Sequence, residues 1–366
     1  MKKNKIFQII IIIIIFCLKN QYLSASEIFL KKNPEIFLYG KIYSDHNLFK
    51  KENNKQKIFI TYGILYKLKF NETISSFWKI EHTPFKNKYS DNLFFENNIS
   101  SNVFSTNFQE NTIEYGKSRT VLNDVSDYIK NIPSFDKYFT FKNVILGSYP
   151  AKILTYRNKN LYNFFPGLTF SLQRIFSWNS NFIKVQDNIK NINNNSYGAS
   201  ILYRFQNSDL NFVSSYLKNY ATYTLINNVK KYHSQFFSLG MKYEKAPVYL
   251  AILYGKKWHL NFDNKINKIF LIHEKVLSNS ESFEFISSYN INSKIYPFWG
   301  YLNSKINSID NNILNKIQEK NIVMGTSIFI NENIEILVHY LLKYNQINTS
   351  NIQKNNDFGL KMSYKF

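Results

Sequence analysis

The sequence is poor in cysteine, glycine, proline and acidic residues. Its 366 residues include one cysteine, 11 glycines, 7 prolines and 25 acidic residues, against 46 lysines and arginines. The single cysteine, Cys17, excludes a disulfide scaffold and makes a cysteine-ligated metal centre untenable. Charged residues make up only 19% of the chain, whereas aromatic residues make up 17%. This balance excludes intrinsic disorder, because disordered chains combine few aromatic residues with a high density of charge.

Long apolar runs are missing from most of the chain, and the one present lies at its start. Basic residues at positions 2, 3 and 5 precede an apolar run over 9–18, and the small residues 24–26 follow it. This layout is typical of a secretory signal peptide, so we expect residues 1–26 to be removed and 27–366 to form the mature domain. An uncleaved anchor helix is the alternative. Beyond residue 26 no apolar run approaches the roughly 18 residues that a transmembrane helix needs.

The net charge of +21 does not by itself indicate a nucleic-acid partner. The lysines are dispersed and mixed with asparagine, as over residues 51–55, and they form no basic block. A stripe of clustered Lys and Arg is the usual electrostatic signature of nucleic-acid binding. Because the chain is also predicted to be exported, we expect no nucleic-acid partner and attribute the Lys and Asn content mainly to AT-rich codons.

A period of two residues in hydrophobicity repeats from one end of the chain to the other. In the last segment the apolar set is Phe358, Leu360, Met362, Tyr364 and Phe366, and the alternate set is Gly359, Lys361, Ser363 and Lys365. Successive side chains of a strand point to opposite faces, so one face of this strand is apolar and the other is small or cationic. Similar alternation over 197–205, 237–243, 248–254 and 334–342 predicts an all-β chain.

Short turns and longer polar stretches separate these alternating segments. Short turns are predicted at 244–247, 291–294 and 331–333, and longer connections at 45–55, 187–195, 261–280 and 304–320. Short turns at one end and long loops at the other are typical of a transmembrane antiparallel β-barrel, and the spacing predicts about 16 strands. A soluble β-sandwich also alternates, but about 340 residues exceed the roughly 100 residues of an immunoglobulin-type sandwich.

No catalytic constellation is present in the sequence. The six histidines are scattered and none has a spacing such as His-Glu-x-x-His, and there is no Gly-x-Ser-x-Gly motif or phosphate-binding loop. His339 alternates with apolar residues and is expected to face the lumen or to be packed. We therefore expect no enzyme activity, no metal site and no cofactor.

Several stretches resemble the trimeric general porins of Gram-negative outer membranes, of the enterobacterial type. They are Leu38-Tyr39-Gly40-Lys41, Tyr115-Gly116-Lys117, Leu154-Thr155-Tyr156-Arg157-Asn158, Phe165-Pro166-Gly167-Leu168-Thr169-Phe170 and the terminal Tyr364-Lys365-Phe366. These pieces occur in the order of that family. The resemblance implies a homotrimer in the outer membrane, whose third external loop folds into the barrel and narrows the pore. It also implies that the assembly machinery reads Tyr364 and Phe366 as a C-terminal signal.

The resemblance places the inward loop at about 118–141, with Pro133 and Phe135 on a Pro-Glu-Phe motif of the family. Two acidic loop positions then fall on Lys130 and Ser134, and the facing arginine cluster falls near Thr61, Ile99 and Ser148 or Tyr149, none of which is basic. The resulting constriction candidates are Lys41, Glu81, Lys117, Asp124, Asp127, Lys130, Ser134 and Asp136. Because Lys117 and Lys130 are cationic, we expect a mild preference for anions.

These observations predict a passive diffusion channel for ions and small hydrophilic solutes, with a polar lumen and outer-membrane lipid around it. Barrels of roughly 16 to 18 strands leave an aqueous channel. Two alternatives remain open on the sequence alone: an outer-membrane barrel enzyme of the lipase or protease type, and a structural surface barrel with a plugged lumen.

Overall fold

The structure is a computed structural model, and it describes eleven stretches of the chain. These are residues 34–47, 57–82, 99–128, 152–161, 164–177, 189–206, 208–225, 228–259, 279–310, 313–347 and 351–366. The predicted signal peptide, residues 1–26, lies outside the described residues. In the stretches that are described, no helix has the length and apolar character needed to cross a bilayer.

Sixteen strands and one short helix make up the described fold. The strands are β1 Glu35–Asn47, β2 Lys57–Lys69, β3 Ile74–His82, β4 Ile99–Phe108, β5 Asn111–Lys117, β6 Lys152–Asn158, β7 Leu168–Ser177, β8 Ile189–Arg204, β9 Leu210–Leu225, β10 Asn228–Lys245, β11 Val248–His259, β12 Asn279–Tyr289, β13 Ile295–Asp310, β14 Ile313–Phe329, β15 Ile334–Ile347 and β16 Asn351–Lys365. The helix, α1, is Asn123–Ser126 and follows β5.

The strands form one closed barrel in which each strand pairs with its neighbours in the sequence. All of these pairs are antiparallel, and β1 closes the barrel against β16 with Lys41 opposite Lys365 and Ile42 opposite Tyr364. Closure was predicted from the terminal alternation and is confirmed. It leaves no sheet edge, as a β structure in lipid requires, because every backbone group must be paired there.

The outer face of the barrel carries large apolar side chains that are exposed. Leu360 is 40% exposed on β16, and Ile252, Trp299 and Met324 are similarly exposed on β11, β13 and β14. Between them along the strands lie buried residues such as Ser363. A soluble sandwich would instead bury this apolar set in its core. The alternation in the sequence is therefore an alternation between a lipid-facing surface and an inner wall.

Four small residues, called here the serine belt, form a row across the inner wall of β7 to β10. Ser171, Ser200 and Ser215 are paired in successive strands from β7 to β9, and Ser238 on β10 continues the row. All four are buried. Because small side chains occupy little volume, this belt leaves room inside the barrel for a segment of loop.

The predicted short turns are confirmed, but two predicted long connections were wrong. The polar stretch 304–320 is mostly strand, because β13 runs to Asp310 and β14 begins at Ile313. Likewise, β8 begins at Ile189, inside the stretch assigned to a loop. A hairpin that extends beyond the bilayer meets water on its outer face, so it keeps its backbone pairing without an apolar face. Hydrophobic period alone does not detect such strand extensions.

Candidate functional site

The segment after β5 enters the barrel and packs on its inner wall. Val121, Leu122 and Val125 are completely buried, although they lie in a connection between two strands. They join the buried apolar cluster of the inner wall, which includes Val213 and Leu217 on β9. The inward course of the third connection was predicted, and the structure describes it as far as residue 128.

Two glycines on the wall provide the space that this segment occupies. A β-carbon at Gly198 would lie 2.7 Å from Cγ2 of Val121, closer than real β-carbons approach other atoms. A β-carbon at Gly240 would lie 3.1 Å from Cγ1 of Val125 and 3.3 Å from Cδ2 of Tyr128. The close contact of residues 121–128 with β8 and β10 therefore depends on the absence of side chains at these two positions.

A bidentate ion pair ties α1 to the barrel. Arg157, on the inner face of β6, donates from Nη1 to Oδ2 of Asp124 at 2.9 Å and from Nη2 to Oδ1 at 3.0 Å. Arg157 Nη1 also donates to Oγ of Ser171, and Oγ of Ser200 donates to Asp124 Oδ2 at 2.5 Å. Charge-assisted, two-pronged contacts of this type are strong and geometrically specific. Asp124 thus holds α1 on the inner wall through Arg157 and through Ser200 of the serine belt.

Gln173 fixes the backbone where the segment turns inward. Its side-chain oxygen accepts the Val121 backbone N–H at 3.0 Å, and its amide nitrogen donates to the Arg119 carbonyl at 3.0 Å. The same nitrogen donates to Oγ1 of Thr155 at 2.8 Å. One buried amide therefore satisfies a donor and an acceptor of the loop, which a buried backbone requires.

The far end of the described loop is held by aromatic contacts. The Tyr249 hydroxyl, on β11, donates to the backbone carbonyl of Tyr128. The ammonium of Lys242 lies 5.2 Å from the centroid of the Tyr128 ring. Burial raises the pKa of the Tyr128 phenol, so this group stays neutral across the physiological range.

A second polar group lies on the inner faces of β1, β2 and β3. Lys79 Nζ is 3.0 Å from Oε2 of Glu81, and the Tyr39 hydroxyl donates to the same oxygen at 3.1 Å. The Lys79 ammonium is 5.4 Å from the centroid of the Tyr39 ring. Lys41 follows Tyr39 on the same face, opposite Thr61 in the register. We call Lys41, Lys79 and Glu81 the β1–β3 charge group.

The two charged regions lie on opposite sides of the lumen. In the closed order of strands, β2 and β10 are half a circuit apart. The helix α1 packs against β9 and β10, and the β1–β3 charge group lies across from it. Asp127 follows α1, and its carboxylate is 3.6 Å from Nη1 of Arg119. The β1–β3 charge group, across from α1, thus contains two lysines and one carboxylate.

The predicted constriction residues are distributed over these regions and beyond. Lys41 and Glu81 belong to the β1–β3 charge group, and Asp124 and Asp127 to the inward segment. Lys117 pairs with Asn102, whose side chain accepts a hydrogen bond from the exposed Trp78 on the outer face. The register therefore places Lys117 on the outer face, apart from the luminal residues. This position on the outer face does not support the predicted role of Lys117 in ion preference. Lys130, Ser134 and Asp136 lie outside the described residues.

Sequence reasoning missed Lys79, Gln173 and the role of Arg157. Arg157 was noted only as part of a family-like stretch, although its alternation with Ile153 and Thr155 assigns it to the inner face. Lys79 lies two residues before Glu81 and shares its face for the same reason. The signal for all three was the period of two, extended from the apolar set to its polar complement.

The inner wall is less polar than predicted. Leu253, Ile286 and Leu302 on β11 to β13 are buried, and Leu337 and Leu341 on β15 are buried as well. They belong to the same apolar cluster as the inward segment. Part of the inner wall is therefore a packing surface, and the polar lining is confined to the remainder. His339, which was expected either to face the lumen or to be packed, is buried on β15.

No metal centre is apparent within the described stretches, which hold no group of three or more His, Cys, Asp or Glu side chains arranged to bind an ion.

Comparison with known proteins gives a consistent result. A family model described as Gram-negative porin matches residues 31–366. A porin-like protein of Buchnera aphidicola subsp. Schizaphis graminum is 25% identical over 94% of this chain and 94% of its own length. The outer membrane porin protein OmpD of Citrobacter koseri is 22% identical over 94% and 95%. Outer membrane porin PhoE of Escherichia coli is 22% identical over 93% and 94%.

Solved structures share the fold at low sequence identity. OmpF of Salmonella typhi, in a complex with daunomycin, superimposes with a TM-score of 0.65 and 17% identity, covering 93% of this chain and all of that chain. The trimer form of OmpT of Vibrio cholerae superimposes with a TM-score of 0.64 and 11% identity, covering 92% of this chain and all of that chain.

Proposed function

The chain belongs to the Gram-negative porin family and is an outer-membrane porin rather than an enzyme. We propose that its channel is narrowed between α1 and the β1–β3 charge group. The observation that carries this proposal is the bidentate pair between Asp124 and Arg157, which holds α1 inside the barrel. A loop segment fixed at two ends and packed on one wall reduces the open cross-section on that side.

Through this passage we propose passive diffusion of ions and small hydrophilic solutes. A barrel of 16 strands is wide enough to leave an aqueous channel, and the proposed constriction carries charge on both of its sides. Diffusion through such a channel needs no cofactor. The solutes move down their own concentration gradients.

The charge around the passage supports a mild preference for anions. Lys41 and Lys79 line the wall across from α1 with Glu81 as the one carboxylate of their group. On the other side Arg157 is paired with Asp124 and also lies near the inner-face carboxylate of Glu114, and Arg119 lies beside Asp127. Basic side chains around a pore favour anions, and low-dielectric walls strengthen their field. This preference should weaken as salt rises, because the screening length is about 8 Å at physiological ionic strength.

The test of this proposal is single-channel conductance of the refolded protein in a planar bilayer under a salt gradient. A diffusion channel gives ohmic steps, and mild anion preference gives a small reversal potential of the corresponding sign. The absence of conductance steps from correctly folded protein, judged by heat-modifiable electrophoretic mobility, would contradict the channel. A strong cation-selective potential would contradict the assigned field while leaving the channel intact.

We further propose that three copies of the barrel associate. The outer face of β2 to β5 exposes a continuous group of large side chains that suits protein contact as well as lipid: Tyr62, Ile64, Trp78, Phe104, Ile113 and Tyr115. The similar Vibrio cholerae protein has a structure described as a trimer form. Native mass spectrometry of the protein from membranes distinguishes one copy from three. The same measurement tests the proposed removal of residues 1–26, because the measured mass should then equal that of a chain beginning at residue 27.

A further inference from the structure

Two cations flank one aromatic ring on the outer face of β7, β8 and β9. Arg174 is paired in the register with Tyr197, and Tyr197 is paired in turn with Lys218. The three residues therefore lie in one row across adjacent strands. Since neighbouring strands are spaced by about 4.8 Å, the backbones that carry the two cations are about 10 Å apart.

Aromatic side chains hold both cations at the surface. The Arg174 guanidinium lies 5.0 Å from the ring centroid of Phe176 and 5.6 Å from that of Tyr197. The Lys218 ammonium lies 5.0 Å from the ring centroid of Tyr220. All of these rings belong to the outer face. Cation–π contacts of this length favour a defined position for each charge over free motion in solvent.

The row lies above an apolar surface. Arg174 is three residues from the end of β7, at the end of the barrel that carries the long connections, which is the external end. Toward the opposite end the outer face continues with Leu172 and Ile201, which are 53% and 51% exposed, and with Tyr216. Cations and aromatic rings above exposed aliphatic side chains match the boundary between lipid headgroups and acyl chains.

A second row of the same barrel has a different charge pattern. On β11, β12 and β13 the outer face carries Lys256, Glu281 and Lys305 in register. There a carboxylate stands between the two lysines, in the place that Tyr197 takes in the first row. Among the described outer-face positions of β6 to β10 there is no carboxylate at all. Of the two rows, the Arg174–Lys218 row is therefore the one with no compensating carboxylate among the described residues of its face.

We propose that Arg174 and Lys218 bind the phosphate of an anionic lipid in the external leaflet. The phosphate lies between the two cations and over the edge of the Tyr197 ring. The acyl chains of the same lipid run down over Leu172 and Ile201. Both cations act through charge-assisted hydrogen bonds, which a planar guanidinium and an ammonium donate readily to phosphate oxygens.

The test measures lipid binding to the full mature barrel by native mass spectrometry. Refolded protein in detergent is titrated with dioleoyl phosphatidylglycerol, which is anionic, and with dioleoyl phosphatidylcholine, which is zwitterionic. We expect tight binding of phosphatidylglycerol alone. Each cation near a lipid surface contributes about fivefold in affinity, so Arg174→Gln with Lys218→Gln should weaken the tightest site about 25-fold.

The second row supplies matched controls. Lys256→Gln with Lys305→Gln removes the same number of cations and should leave the tightest site unchanged, whereas Glu281→Gln should add a second phosphatidylglycerol site. Three outcomes would overturn the proposal. The control variant could lose as much affinity for phosphatidylglycerol as the Arg174 and Lys218 variant, or the protein could bind the two lipids with equal affinity. The third is an unchanged affinity for phosphatidylglycerol after Arg174 and Lys218 are replaced. Unchanged conductance verifies folding of each variant, because these side chains point away from the lumen. If the double variant does not refold, each single variant should show the fivefold loss.

Discussion

The ring of Phe366 covers Gly40 across the seam that closes the barrel. The two residues exchange backbone hydrogen bonds, from Gly40 N–H to the Phe366 carbonyl at 2.8 Å and from Phe366 N–H to the Gly40 carbonyl at 3.0 Å. A β-carbon at Gly40 would collide with the aromatic ring. The C-terminal aromatic residue is thus seated in a specific place on β1, and the glycine provides that place.

Deletion of Phe366 should sharply reduce the amount of correctly inserted protein. The deletion removes two backbone hydrogen bonds and the ring that covers β1, and it also removes the residue that we expect the assembly machinery to read. The measurement is the fraction of heat-modifiable barrel in outer-membrane preparations. Gly40→Val separates the two causes, since it disturbs the seat and leaves the C-terminus intact. A wild-type level of folded barrel in the deletion variant would refute both.

A charge on the outer face should cost far more stability than a charge reversal on the inner face. Leu360 is exposed to lipid, and Lys361 follows it on the opposite face of β16. An arginine at the lipid face near the midplane costs about 2–4 kcal/mol. Leu360→Arg should therefore destabilise the barrel more than Lys361→Glu in urea titrations in lipid. The reverse ranking would shift the assigned faces by one residue.

Removal of the Asp124–Arg157 pair should loosen α1 without unfolding the barrel. Hydrogen bonds to charged groups contribute about 1.5–3 kcal/mol each in protein interiors, and this pair is partly shielded from water. Asp124→Asn should increase both single-channel conductance and current noise, because α1 leaves the wall more often. The double variant with Arg157→Gln tests the coupling: its noise should resemble that of Asp124→Asn alone. Additive effects of the two substitutions would show that the residues act independently.

The ion preference should depend on the β1–β3 charge group. Lys41→Glu with Lys79→Glu reverses two luminal charges across from α1, so the reversal potential in a KCl gradient should move toward cation selectivity. Lys117→Glu is the control for each single luminal variant, Lys41→Glu or Lys79→Glu, because it makes the same single charge reversal on the outer face. We expect it to move the potential much less. A larger shift from Lys117→Glu than from the luminal pair would place the selective charges elsewhere.

The period of two in the sequence was sufficient to predict the fold and the two faces of the strands. A side chain in a strand has only two directions, so the local pattern assigns each residue to lipid or to the inner wall. The apolar sets of β10, β11, β15 and β16 follow this assignment. The terminal aromatic pattern also predicted the closing pair of strands, because a sheet in lipid has no free edge. The polar complement of the same pattern also contained the information that places Arg157 and Lys79 on the inner face, but the sequence reasoning did not use it.

Only the tertiary structure decided which inner-face residues meet. Asp124 and Arg157 are separated by 33 residues, and their contact depends on the path of the loop into the barrel. The packing roles of the glycines at 198 and 240 and of the inner-wall leucines also depend on that path. Lys117 shows the limit most directly: its position at the start of the loop suggested the lumen, whereas its pairing with Asn102 places it outside. A period fixes a direction for each side chain, but strand register and loop course fix its neighbours, and these depend on contacts far apart in the chain.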